Sequence, residues 1–283
     1  MAAFLIAYPF YLVTGFPNVR ERIAKMRVPA FALAAAMLPY LVCCCGVVRF
    51  EWSGLARVAA VALAVSLWYV VLPAAPATDV GFLALVGGVL LGGYFNPVYA
   101  PLYPAFRDMK NLVVIPHLSL ISMSVMALML QRRVHETGYG FVPDRRDWGI
   151  GLLHFLYFIP IGLPLALLLR ITHVVTPKPV WAIAATFMGM FWVVALSEEF
   201  FLRGVLQQWI EDWTSSRAGA LLLASAVFGL LHLWLGGFPN WKWALEAGVL
   251  GWFCGHARNQ AGSIRASMVT HALVAATWRG FFA

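Results

Sequence analysis

Long apolar runs, seldom broken by charge, leave this chain few folds to choose from. They occupy residues 2–16, 28–48, 55–72, 80–99, 112–130, 148–169, 180–206, 218–235, 243–255 and 264–282. Chain that spans a bilayer must satisfy its backbone internally, as helices or as a closed barrel. These runs are continuous rather than alternating, so they predict helices. Several are short, and merging or re-entry lowers their number. The expected fold is an all-α polytopic membrane bundle of about 8–10 transmembrane helices. Only 11% of residues are charged and 62% are hydrophobic, against about 25% charge in a soluble domain. The longest polar stretch, 131–148, is too short for a soluble domain. The first run is short, carries Pro9 and lacks a basic leader, which argues against a cleaved signal peptide.

The net charge of +8 is read as topology rather than as affinity for nucleic acid. With the N-terminus set outside, the basic clusters at 20–27 and 132–146 both fall inside. Cys43, Cys44 and Cys45 are consecutive and cannot pair with one another, and Cys254 stands in another run. The cysteines form no metal-ligand spacing and read as small core residues, with acylation at a membrane edge the alternative. Composition shifts near residue 147. Nearly every ionisable group inside an apolar run follows it, His117 excepted. The expected division is a variable scaffold, 1–147, and a functional core, 148–283.

Within the run 180–206 stands Ser197-Glu198-Glu199-Phe200-Phe201-Leu202-Arg203-Gly204. A charge at mid-bilayer costs about 2.5–3.5 kcal/mol on insertion scales, so such residues are paired and functional as a rule. Glu199 and Arg203 are i and i+4 in the favourable acid-first order. Glu198 projects about 100° from Glu199 at helical pitch, so one arginine serves the two carboxylates poorly. Glu199 is therefore read as the ion-paired, orienting member and Glu198 as the one free for chemistry. The alternative is a structural salt bridge that pins helices together.

Two further polar positions follow, His232 in Phe228-Gly229-Leu230-Leu231-His232 and His271 after Gly262-Ser263-Ile264. Glu198 and His232 each lie about 25 Å of helix from the turn near 214–217, and His271 lies about 16 Å from the turn near 259–262. A carboxylate and two histidines at compatible depth can activate water. The carboxylate serves as general base, one imidazole positions the water and the other donates to an oxyanion. The same three residues, Glu198, His232 and His271, also offer a Glu/His₂ zinc set, although no HExxH is present. His117, His154 and Glu246 read as interhelical hydrogen-bonders. His135, His173 and His256 read as loop or helix-end residues, and Arg258 as an interfacial charge. Phe228, four residues before His232, can stack beside its imidazole.

These motifs resemble those of the CAAX protease and bacteriocin-processing family of intramembrane endopeptidases, which includes the Ras and a-factor converting enzyme. Glu198-Glu199-Phe200-Phe201-Leu202-Arg203 is similar to its EExxxR motif, Phe228 to His232 to its FxxxH motif, and the stretch from Gly255 through His271 to its last motif. The resemblance covers roughly 180–281. It implies a glutamate-dependent rather than zinc-dependent endopeptidase, with no required cofactor. By resemblance Glu198 and His232 activate the water, His271 helps to form the oxyanion site, and Glu199, Arg203 and Phe228 support them. The implied partners are the bilayer and a membrane-associated peptide or protein substrate. The segment SEEFFLRGVLQ looks like bacterial members, which implies a multi-pass protein of the bacterial inner membrane. One departure stands out. Four residues after His271, where the family has Asn or Asp, this chain has Ala275. That departure supports the competing expectation of a non-enzymatic self-immunity or membrane chaperone-like protein with a degenerate site. A proton-relaying transporter is a third class. It predicts matched broken helices in the two halves, and the Gly-Gly and Pro sites are unmatched.

Overall fold

The computed structural model describes residues 2–25, 27–46, 48–99, 114–135 and 137–282. Among them helices dominate and no strand forms beyond one isolated bridge between Val174 and Phe282. Every apolar run read from the sequence carries a helix. The first two residues of the run 112–130 lie outside the described residues.

The chain divides into two compact units, Met1–His135 and Glu136–Ala283. The first holds α1 (Ala2–Val13), α2 (Pro17–Ala24), α3 (Val28–Cys44), α4 (Trp52–Val71), α5 (Pro76–Leu91), α6 (Asn96–Tyr99) and α7 (Val114–Met126), which a π turn extends to Gln131. Helices α1 and α2 meet at 93°. The second unit holds α8 (Arg145–Leu168), α9 (Val180–Thr214), α10 (Arg217–Leu231), α11 (Trp241–Ala261) and α12 (Ile264–Phe281). Among the described residues, six helical segments are long and apolar enough to cross a membrane, counting α5 with α6 and α10 as far as Trp234, or seven if α1 and α2 form one span. Helix α3 is shorter, at 17 residues. Helices α11 and α12 have the length, 21 and 18 residues, but carry the buried polar groups that lower their apolarity.

Local signals set the helix ends in the second unit. The Asp144 carboxylate accepts from Asp147 N at 2.8 Å and caps α8. That backbone bond holds the Asp144 carboxyl below its ordinary range. Ser216 caps α10, Asn240 caps α11 and Ser263 caps α12, each by accepting a backbone N–H of the first turn. Gly262 ends α11 at φ +70°, the left-handed conformation that glycine adopts without strain. Small residues then let the helices close. A Cβ on Gly151 of α8 would stand 2.5 Å from Val269 Cβ of α12. One on Gly229 of α10 would stand 2.5 Å from Ala244 O of α11. Such close approach substitutes packing for the hydrophobic drive that lipid removes.

Candidate active site

Helix α9 runs for 35 residues, longer than a bilayer core requires. Its middle is not uniform. The turn Leu196–Glu199 is α-helical and lies between two π stretches, Met190–Ala195 and Phe200–Gln207. Wide turns of this kind gather at functional sites because they re-aim side chains within a continuous helix.

The two glutamates of that turn face different surroundings. Glu199 is fully buried, with Oε2 3.2 Å from Arg203 Nε, while Oε1 accepts from His271 Nδ1 at 2.7 Å. The Arg203 contact joins charges without an aligned hydrogen bond, because neither Glu199 Oε2 nor Arg203 Nε has a hydrogen-bond partner among the described residues. Arg203 Nη2 donates to Gly251 O on α11 at 3.0 Å. Glu198 keeps 31% of its side-chain surface exposed, and its Oε2 stands 3.8 Å from His271 Nε2, beyond direct bonding. That Oε2 also has no hydrogen-bond partner among the described residues. The imidazole of His271 thus lies between the two carboxylates.

Phe228 ties the three helices together. Arg203 Cζ lies 4.6 Å above its ring, and the rings of His232 and His271 meet it edge-on at 4.7 and 5.8 Å. A guanidinium over an aromatic face gains more where water is excluded. His232 does not sit within a helix as the run 218–235 suggested. Helix α10 ends at Leu231, and His232 opens a short 3₁₀ turn through Trp234. Its Nδ1 meets Phe228 O at 2.9 Å. A carbonyl only accepts, so Nδ1 carries the proton and Nε2 presents a lone pair.

One group of three potential metal ligands occurs among the described residues, Glu199, Cys254 and His271, with ligand atoms within 4.8 Å of one another. It differs from the set Glu198, His232 and His271 weighed from the sequence. Glu199 already lies against Arg203, whose positive charge opposes a cation there, and His271 Nδ1 would have to exchange its bond to Glu199 for the metal. Cys254 was read as a plain core residue. Its place beside Glu199 follows from the register of α11 against α12, where Ser267 Oγ donates to Cys254 O at 2.7 Å.

Other polar residues depart from their sequence readings. His154 Nδ1 bonds Ile150 O of its own helix rather than a neighbour, at 2.9 Å, because that carbonyl is one turn back on the same face. Both carboxylate oxygens of Glu246, and His117 Nδ1, lack a hydrogen-bond partner among the described residues. Arg258 is a buried network member rather than a bare interfacial charge. It meets Glu211 Oε2 at 3.3 Å, donates to Asn259 Oδ1 at 3.1 Å and contacts Gln208 closely. Sequence reasoning missed Gly251 and Gly255. A Cβ on Gly251 would press within 3.1 Å of Arg203 Nη2, and one on Gly255 within 2.8 Å of Gln207 Oε1. The spacing of four along α11 was the available signal.

Comparison with known families places these residues. The family model of the type II CAAX prenyl endopeptidase Rce1-like proteins matches residues 179–277. No curated protein and no solved structure matches the chain. The match begins at the start of α9 and ends near the close of α12, so it takes in the EExxxR turn, Phe228, His232 and His271. Residues 179–277, about a third of the chain, are thus similar to the type II CAAX prenyl endopeptidase Rce1-like proteins.

Proposed function

We propose that this protein is an intramembrane endopeptidase of glutamic type, with Glu198 as the general base that activates water. One observation carries the assignment: Glu199 is committed to Arg203 and His271, whereas Glu198 is half-exposed with an unpartnered oxygen aimed at the same imidazole. The Rce1-like family model supports hydrolysis of a peptide bond in a membrane-associated chain.

The residues divide the work by their hydrogen bonds. Water held at about 2.8 Å from both Glu198 Oε2 and His271 Nε2 closes a triangle on their 3.8 Å edge. Glu198 removes a proton as the water oxygen attacks the carbonyl carbon, and the carbonyl becomes an oxyanion. His271, fixed by its Nδ1 bond to Glu199, carries an Nε2 proton toward that oxygen. His232 offers its Nε2 lone pair to orient the water. The C–N bond then breaks, and Glu198 returns its proton to the leaving amine. No cofactor is needed for any step.

The test uses the purified protein in liposomes, with a prenylated CAAX peptide and an unmodified membrane leader peptide as substrates. Glu198→Gln keeps the shape and removes the base. Cleavage is expected to fall about 10²–10⁴-fold while thermal stability and membrane insertion hold. A Glu198→Gln protein that cleaves at the wild-type rate ends the assignment.

A further inference from the structure

Below the site, α9 carries a second set of buried polar side chains at the same spacing. Glu199, Arg203, Gln207 and Glu211 follow one another every four residues, and the first three are fully buried. Arg203, Gln207 and Glu211 each meet α11. Arg203 Nη2 donates to Gly251 O at 3.0 Å, Gln207 Nε2 donates to Asn259 Oδ1 at 2.9 Å, and Glu211 pairs with Arg258 at 3.3 Å. The facing residues Gly251 and Gly255 lack the Cβ that would collide with the arginine and the amide. The stripe is tightly packed. A Cβ on Gly255 would also come within 2.3 Å of Leu221 Cδ1, and Gln207 itself has no exposed surface. A conduit is therefore a poor account of these residues, and a rack is a better one.

We propose that Gln207, paired with Asn259, is a positioning residue for the hydrolytic site. It fixes the register of α9 against α11 and so holds the Arg203 guanidinium where it anchors Glu199 and, through Glu199, His271. The amide suits this task. Its one bond to α11 is directional, and it closes the π stretch that follows the two glutamates. Arg203 alone cannot set the register. It meets Gly251 through a carbonyl, which every position along α11 provides, and its charge contact with Glu199 lies within α9. Asn259 is the side chain that distinguishes one register from the next, and Arg258 Nη1 in turn holds its Oδ1 at 3.1 Å. A mere helix–helix bond would add to stability alone. A positioning bond moves the chemistry.

The proposal rests on the hydrolytic assignment for its kinetic arm and stands apart from it in its spectroscopic arm. Gln207→Leu keeps the volume and removes a buried polar group, so folding is expected to survive. In liposomes its kcat is expected to fall roughly ten- to hundredfold with KM unchanged, the scale of a small misplacement of reacting groups. Asn259→Leu should reproduce that loss, Asn259→Asp should restore it by keeping the acceptor oxygen, and Gln207→Leu with Asn259→Leu should be no worse than either alone. The second arm is ¹⁵N-histidine NMR of the full chain in detergent, with the His271 signal assigned by His271→Gln. Its Nδ1–H resonance should shift in Gln207→Leu. If Gln207→Leu does not fold, Asn259→Leu carries both measurements. A folded variant with wild-type kcat and an unmoved His271 signal overturns the proposal. A moved signal in a protein that cleaves no substrate removes the hydrolytic assignment and leaves the link from Gln207 to His271 standing.

Discussion

Both units of the chain hold a wholly buried carboxylate against an arginine, Asp79 in the first and Glu199 in the second, and the two pairs are built differently. In the first unit, Asp79 is wholly buried and takes a forked contact from Arg132, Nε to Oδ1 and Nη2 to Oδ2, both at 2.8 Å. Tyr69 Oη adds a third bond to Oδ1 at 3.0 Å. Both oxygens are answered, and Arg132 retains 23% of its side-chain surface. In the second unit, Glu199 and Arg203 meet once at 3.2 Å, are both fully buried, and leave Arg203 Nη1 without a hydrogen-bond partner among the described residues. A forked, saturated pair satisfies itself and offers little to a reactant. An unsaturated pair beside a histidine retains bonding capacity for chemistry. A charge inside a membrane protein is thus a weak sign of function until its valences are counted.

Five substitutions sharpen or break this contrast. Glu198→Gln carries the largest expected effect, the 10²–10⁴-fold loss of cleavage already stated, and it should leave the melting temperature unmoved. A matching Glu199→Gln that loses only the same rate, with no stability change, would erase the distinction between the two glutamates. Arg203→Ala comes next. It strands Glu199 in the core and should cost about 3–5 kcal/mol, visible as lost expression or a lower midpoint in thermal unfolding. A stable Arg203→Ala protein with only a rate defect would mean that the arginine serves the substrate rather than Glu199. Ala275→Asn tests the departure from the family pattern. Position 275 lies one turn beyond His271, so its amide adds a donor on the same side of α12. Turnover should rise, by up to the 10²–10³-fold that one oxyanion donor supplies, or about 2.7–4 kcal/mol. An unchanged rate, measured side by side with wild type, would show that another group holds the oxyanion. Asp79→Asn is the mildest. It should lower stability by about 1–3 kcal/mol and leave cleavage per folded molecule unchanged. A lower kcat for folded Asp79→Asn would give the first unit's pair a role in catalysis.

Much of this arrangement was legible in the sequence, for definite reasons. Apolar runs mark helices because lipid permits little else, and Glu199 with Arg203 is a contact within one helix, fixed by spacing alone. What lies between helices was not legible. Asp79 escaped notice because it sits in the first turn of α5, where an acidic residue reads as an ordinary helix start. Its arginine is 53 residues away. Glu246 and His154 looked like bonds to a neighbouring helix, yet whether a partner faces them depends on helix rotation, which sequence does not record. Gly251 and Gly255 matter through what they leave out, and an omission has meaning only once the neighbour is in place. His232 was placed inside the helical run 218–235 because that run stays apolar past the point where α10 stops.

The length of α9 also constrains how a bilayer can meet the protein. A 35-residue helix is about 50 Å long, against a hydrocarbon layer of about 30 Å. The surplus must emerge from the bilayer, be taken up by tilt, or draw the leaflets together locally. The emerging end is the one bearing Glu211, Asp212 and the exposed Trp213, next to the capped turns and their ion pairs. About 20 Å of axis separates Glu211 from Glu198. Trp234, Phe238 and Trp241 stand exposed in the segment that follows His232. Aromatic residues of this kind favour the boundary between lipid and water.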